Sequence, residues 1–353
     1  MRKLMSKIKR CFRTKKGKIV GILSIVLILS IIGGGYYYQQ LTGGVNTPGN
    51  TPKDPEPEPE PPKLQILDLD SKARPFAVMI NNIGVARPLQ SGLQDAFLIY
   101  EIIVEGGLTR LMALFHETET ARIGGVRSAR HYFIDYALEN DAIYVFHGQS
   151  PQAAADFRRM NPDRIVVDGS RTGWRDNSLR VSSEHRLFTS MERLQKGMGN
   201  RRAERRGDFL LNYSVDPLYL CEMEGAKEAT SISIRYPTMG ASYTYDEENK
   251  VYKRFVNNNP HNDFVTKEQY TFKNIITYQV RNVAIGKGRQ NLNNVGNGEG
   301  WFITNGCAVP ITWAKTSRAG KTVYRLKNGE ELIVNDGNTF IQIQPVGQNL
   351  VIG

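Results

Sequence analysis

The stretch "RIGGVRSARHYF", Arg122 to Phe133, sets three arginines, two adjacent glycines and a serine just before an apolar run of helical spacing. Ser128 is a good N-cap residue. Tyr132, Phe133, Tyr136 and Ala137 follow as a plausible buried stripe, which predicts a helix from about Ser128 to Glu139. A helix N-terminus presents unpaired N–H groups and the positive end of its dipole, so anions bind there readily. Arg127 and Arg130, with Arg110 upstream, could hold a phosphate or carboxylate by paired hydrogen bonds, and Gly124 and Gly125 would let the ligand approach the backbone closely. The commoner fate of such arginines is pairing inside their own domain, here Arg110 or Arg127 with Glu101 or Glu105.

Three other groupings of residues could carry chemistry. Glu101, Ile103 and Glu105 fall on one face of a strand, which sets the two carboxylates about 13 Å apart, beyond the roughly 5–9.5 Å of a glycosidase pair. A structural network is the expectation for Glu101 and Glu105. In "HGQSPQ", Ser150 follows a strand and opens a helix, with Asp168 and His185 later in the order Ser–Asp–His. The nucleophile elbow needs a glycine where Gln152 stands, and Ser before Pro reads as an ordinary helix cap. The five histidines (His116, His131, His147, His185, His261) have no short ligand spacing, so neither a metal nor a cofactor is expected.

These residues need a scaffold. "FAVMI" (Phe76 to Ile80), "FLIYEIIVE", "LTRLMALFHE", "AIYVFHG" and "RIVVDG" read as strands, the middle pair joined as a hairpin at Gly106-Gly107. Helices are expected near Ser128 to Glu139 and from Ser150-Pro151, and a short helical turn over Ser91 to Ala96. The reading is a mixed α/β (α+β) fold: an N-terminal domain over 64–210 with a mixed sheet covered by helices, and a mostly antiparallel β domain over 211–353. In the latter, "ASYTYDEENKVYKRFV" predicts a hairpin turning at Glu247 to Asn249. Between Ser150 and Leu210, 13 Lys or Arg face 8 acids, so this region is a solvated connector or a contact for an anionic wall polymer.

Charge and hydropathy place the chain. Of the net charge of +11, nine cations sit in residues 1–18, leaving +2 for the remainder, so a nucleic-acid partner is not expected. Residues 19–38, "IVGILSIVLILSIIGGGYYY", carry no charge over about the length that crosses a bilayer core, and end in three tyrosines. The preceding cations put residues 1–18 in the cytoplasm as the tail of an uncleaved signal-anchor. The Pro- and Glu-rich residues 39–63 form an extended spacer, and the folded part lies outside. Cys221 and Cys307 could pair in that compartment, although buried, unpaired cysteines are the commoner outcome.

The runs "RPFAVMINN", "ARPLQSGLQDAFLIYEIIVEGGLTRLMALF" and "IGGVRSARHYF", with the tail "GWFITNGCAVPITWAK" and "YRLKNGEELIVNDGNTFIQIQP", resemble the YerB-like lipoprotein family of Gram-positive bacteria. The resemblance implies a cell-surface protein of two family-specific domains with no established reaction. It marks Glu105, Gly106, Gly107, Thr109, Arg110, Arg127, Ser128 and Arg130 as recurring motif positions. Two departures stand out. No cysteine follows the apolar span to accept a lipid, and Glu184 and Arg186 flank His185 where a proline and an asparagine would be expected. The expectation is therefore a membrane-anchored extracellular envelope protein that binds an anionic wall polymer or glycan, or another envelope protein, or acts as a scaffold. The alternative is an enzyme acting on a wall polymer.

Overall fold

Strand β1 (Phe76–Asn81) is buried along its whole length and shows why the sheet has two covered faces. Ala77 and Met79 enter one apolar core, while Phe76, Val78 and Ile80 enter another on the opposite side. A strand buried on both faces carries an unbroken hydrophobic run rather than an alternating one. The computed structural model describes residues 63–353. The expected apolar span at 19–38 and most of the spacer lie outside them, and among the described residues no helix is long and apolar enough to cross a membrane.

β1 pairs antiparallel with β3 (Thr109–Phe115), which forms the expected hairpin with β2 (Leu98–Ile103). The connecting turn, Glu105–Gly107, is longer than a two-residue hairpin loop. Gly106 and Gly107 both have positive φ, and a Cβ on Gly107 would lie 2.9 Å from the Pro237 ring. After the two-residue β4 (Ile123–Gly124) come helix α1 (His131–Glu139), β5 (Ile143–Phe146), helix α2 (Pro151–Met160) and β6 (Arg164–Val166). β5 lies parallel to β1, and β6 parallel to β5, with α2 as the crossover. The arginine-rich region beyond holds β7 (Trp174–Arg175), β8 (Leu187–Thr189) and helix α3 (Met191–Lys196), and β4, β8 and β7 form a small sheet.

The fold is mainly β. One sheet of 11 strands runs through both halves of the sequence: β2 lies parallel to Thr339–Pro345, with Leu98 opposite Thr339 and Ile102 opposite Ile343. Beyond Thr339–Pro345 come Asn274–Val280, Gly296–Thr304 and Cys307–Lys315. Helices α1 and α2 cover one face, through Phe133, Tyr136, Ala153 and Phe157. A six-stranded sheet covers the other, through Ile232, Ile234, Tyr243 and Tyr252. This second sheet contains the anticipated hairpin, Met239–Asp246 with Val251–Val256.

Two expectations are corrected. Ser128 does not cap α1, whose N-cap is Arg130 without a side-chain cap bond. The backbone from Val126 to Ala129 is instead spent on sheet-like pairing: Val126 bridges Ile80, the Arg127 N–H donates to the Met79 carbonyl, and Ala129 bridges Gln149. An extended segment held on both sides cannot turn into a helix until Arg130. The cysteines are also not left unpaired, for Cys221 and Cys307 are joined by a disulfide across 86 residues.

Between the two sheets lies a fully buried ion pair, Glu101 of β2 with Arg254, at 2.6 Å. Glu101 Oε1 accepts from Asn82 Nδ2 (2.9 Å) and Thr109 Oγ1 (2.7 Å), and Oε2 accepts from Arg254 and from Gln342 Nε2 (2.9 Å). Arg254 also donates to His261 Nδ1, His261 Nε2 donates to Gln90 Oε1, and Gln90 Nε2 donates to Asn82 Oδ1, which closes a ring of side chains. Burial works against the Arg254 charge, but Tyr243 and Glu101 outweigh it and hold its pKa above the ordinary value. Burial and the Arg254 charge press the His261 pKa well below its ordinary value, so His261 is neutral in the ring.

Glu101→Gln turns an acceptor into a donor facing donors and should cost about 3–5 kcal/mol in chemical denaturation, whereas Glu101→Met with Arg254→Met should cost less than the two single changes summed. Non-reducing peptide mapping should recover Cys221 and Cys307 in one linked pair, and serines at both positions should lower stability by about 2–4 kcal/mol, as expected for a loop of this length.

Candidate functional site

Arg127 and Arg130 gather with Arg110 near the start of α1, and all three arginines of the opening stretch meet a partner within the protein. Arg130 makes a two-pronged pair with Glu105, Nε to Oε1 at 2.6 Å and Nη2 to Oε2 at 2.8 Å. Burial alone would raise the Glu105 pKa; its hydrogen bond to Arg130 overrides this and holds it below the ordinary value. Arg127 pairs with Glu184 at 2.6 Å, and Arg122 with Asp176 at 2.9 Å. Arg110 is buried and donates to the Ser128 carbonyl, so Ser128 contributes a backbone acceptor to this cluster. Burial first, and then the Arg130 charge, push the Arg110 pKa down to about 9, which leaves it charged near neutrality.

The structure thus brings Arg110, Arg127, Arg130 and Glu105 together and sends Glu101 elsewhere, to Arg254. The glycines serve packing. A Cβ on Gly124 would stand 2.9 Å from the Phe188 ring, and one on Gly125 would stand 3.0 Å from the His185 carbonyl. The close approach that these glycines permit is made by the chain preceding and entering β8, not by a ligand.

The Ser–Asp–His alternative finds no connected set. Ser150 Oγ accepts from the Ala153 N–H at 3.1 Å and caps α2. Asp168 accepts from the backbone N–H groups of Ser170, Arg171 and Thr172, which draw its pKa down to about 2. His185 Nδ1 lies 3.0 Å from Asn81 Nδ2. His147 Nδ1 donates to the Val167 carbonyl, and its Nε2 accepts from Arg175 at 3.2 Å. Ser150 has no histidine partner, so nothing in place would remove its proton. Among the described residues, no group of three or more His, Cys, Asp or Glu could hold a metal ion.

A more open site lies beside β6. A cleft of about 850 Å³ is lined by six cations, Arg164, Arg171, Lys196, Arg201, Arg202 and Arg206, and by a single acid, Asp163. That acid is already engaged by Arg74 at 2.5 Å. Lys196 pairs with Glu192 and Arg202 with Asp141. Arg164 and Arg201 form no ion pair; they donate to backbone carbonyls, Arg201 Nε to Arg164 O at 2.8 Å and Arg164 to Pro162 O at 3.2 Å. Among the described residues, the side chains of Arg171 and Arg206 form neither an ion pair nor a hydrogen bond. Four of the six cations, Arg164, Arg171, Arg201 and Arg206, thus have no carboxylate partner among the described residues, whereas Arg127 and Arg130 at the start of α1 each have one.

The sequence reading placed the arginine excess but not its convergence, which needs α3 and the 197–206 turn folded back against β6. It also missed Arg254, although a signal was there. In "VYKRFV" Arg254 shares a strand face with Tyr252 and Val256, and all three are buried.

Comparison with known proteins agrees with this architecture. Residues 65–204 match the N-terminal domain of the protein family of unknown function DUF3048, and residues 232–341 match its C-terminal domain. The relative named "Putative lipoprotein YerB", from Bacillus subtilis (strain 168), is 30% identical over 289 residues, 78% of this chain and 82% of the relative. The crystal structure of YerB protein from Bacillus subtilis is similar with a TM-score of 0.68 and 26% identity, covering 79% of this chain and 94% of that one. The motif positions of the first half and the tail strands of the second thus fall within matched domains, and the chain belongs to the YerB-like DUF3048 family, whose function is unknown.

Proposed function

We propose that this is a membrane-anchored protein of the cell envelope whose folded part, outside the membrane, binds an anionic wall polymer. The observation that carries the binding is the basic cleft beside β6, where four of the six lining cations have no carboxylate partner among the described residues and the one lining acid is already paired with Arg74. Such a cleft attracts repeated phosphates or carboxylates over about a Debye length and discriminates little between their sources. Placement outside the membrane draws on three things: the apolar run at 19–38 behind nine cations, the lipoprotein name carried by the relative, and the disulfide, since such bonds persist in oxidising compartments. The Arg110–Arg127–Arg130 cluster serves as framework in this reading, because its charge is answered by Glu105 and Glu184.

Full-length protein in detergent micelles should bind poly(glycerol phosphate), with affinity falling steeply as salt rises. Replacing Arg171 and Arg206 by serine removes two side chains with no partner, so stability should move by less than about 0.5 kcal/mol. The same change should weaken binding about tenfold in titration calorimetry, or ~1.4 kcal/mol. Wild-type affinity in that double variant would sink the reading.

A further inference from the structure

Far from the basic cleft, the main sheet carries a second cavity of different chemistry. It lies where the six-stranded sheet ends in Leu350–Ile352 and the 11-stranded sheet continues through Asn274–Val280, Gly296–Thr304 and Cys307–Lys315. The volume is about 570 Å³, within the size of small-molecule sites. Its walls follow the strand register: Thr277 lies opposite Trp301, Trp301 opposite Pro310, and Glu299 opposite Thr312. With a period of two, these side chains share one face, and Leu350 closes one side.

The polar groups here lack partners. Thr277 Oγ1 and Gln344 Oε1 are fully buried and have no hydrogen bond among the described residues, although both residues line the cavity. Gln344 Nε2 donates to the carbonyls of Arg235 (2.8 Å) and Asn349 (3.1 Å), which fixes the amide with its oxygen as the unmatched acceptor. At the rim, the side chains of Glu299, Thr312 and Lys327 are exposed, with no hydrogen bond or ion pair among the described residues. Lys227 Nζ, outside the lining, sits 4.2 Å from the Trp301 ring centroid, and Trp301 itself is half-buried in the cavity wall.

An aromatic side chain beside exposed, unmatched hydroxyl, carboxylate and ammonium groups suits a molecule with apolar C–H faces and many hydroxyl groups at its edges. We infer that this cavity is a saccharide subsite, with Trp301 as the stacking platform and Glu299, Thr312 and Lys327 as partners for ring hydroxyls. The basic cleft shares no residue with it, so the two stand or fall separately.

The test uses full-length protein in a detergent without a sugar headgroup, titrated calorimetrically with chitotetraose and with maltotetraose. Binding of at least one neutral tetrasaccharide is expected, weakened about tenfold or more by Trp301→Ala, or ~1.4 kcal/mol. Glu299→Ala, an exposed change with no partner to lose, should weaken it about threefold. Arg171→Ser with Arg206→Ser should leave it unchanged. Absence of binding by the wild type at about 10 mM of either sugar would overturn the inference. So would wild-type affinity in Trp301→Ala, or in Glu299→Ala should the tryptophan variant fail to fold.

Discussion

A glutamate and an arginine, 153 positions apart in sequence and buried without access to water, hold the two halves of this chain in one arrangement. Removing both charges from water costs several kcal/mol each, and such a pair is tolerable only if every remaining lone pair and proton is satisfied. Here Asn82, Thr109 and Gln342 donate to the carboxylate, and Tyr243 and His261 accept from the guanidinium alongside Glu101. The strength of the device lies in selectivity more than in net stability. Any slip of β2 against Thr339–Pro345 would part Glu101 from Gln342, and any slip between the two sheets would part it from Arg254. Register in a sheet apolar on both faces is weakly fixed by burial alone, and this network fixes it.

The same constraint reinterprets the motif residues of the first half. Thr109 donates to Glu101, Glu105 grips Arg130, Gly107 makes room for Pro237, and Arg110 ties β3 to the Ser128 carbonyl. A run such as "EGGLTR" looks like chemistry because it concentrates charge, glycine and hydroxyl groups in six residues. The structure uses that concentration to join a turn, a helix start and the second sheet at one point. Charge consumed in this way is not available to a ligand, which moves the ligand question to the cations that remain unmatched.

What could be read from sequence, and what could not, follows from the range of the interactions. The strands around Phe76, Leu98, Thr109 and Ile143, the cap at Ser150 and the turn after Asp246 are encoded by neighbours within a few residues, and they appear as expected. Ser128 carries the same local signal as Ser150, yet its backbone is claimed by bridges to β1 and to Gln149, so tertiary pairing overrides capping. The pairing of Cys221 with Cys307 and of Glu101 with Arg254 depends on contacts across 86 and 153 residues, which no local pattern carries. The basic cleft was half legible: composition gave the excess of arginine, but only the fold decides which arginines find a carboxylate.

The two open sites sit toward opposite edges of one sheet. Seven strand positions separate Gly296–Thr304 from β6, which at about 4.8 Å per strand is on the order of 30 Å before twist is counted. On the two proposed readings, a polymer that alternates sugars with anionic groups would touch both ends at once, whereas a small ligand would not span that distance. Each contact alone would be weak, the one screened by salt and the other limited to stacking and a few hydrogen bonds. Linking them through one chain raises the effective concentration at the second site once the first is filled, without any new contact. A rigid sheet suits that task better than two domains on a hinge, because the spacing is then a fixed property of the scaffold. The buried ring around Glu101, which locks the halves together, would accordingly set the distance over which such a polymer is measured.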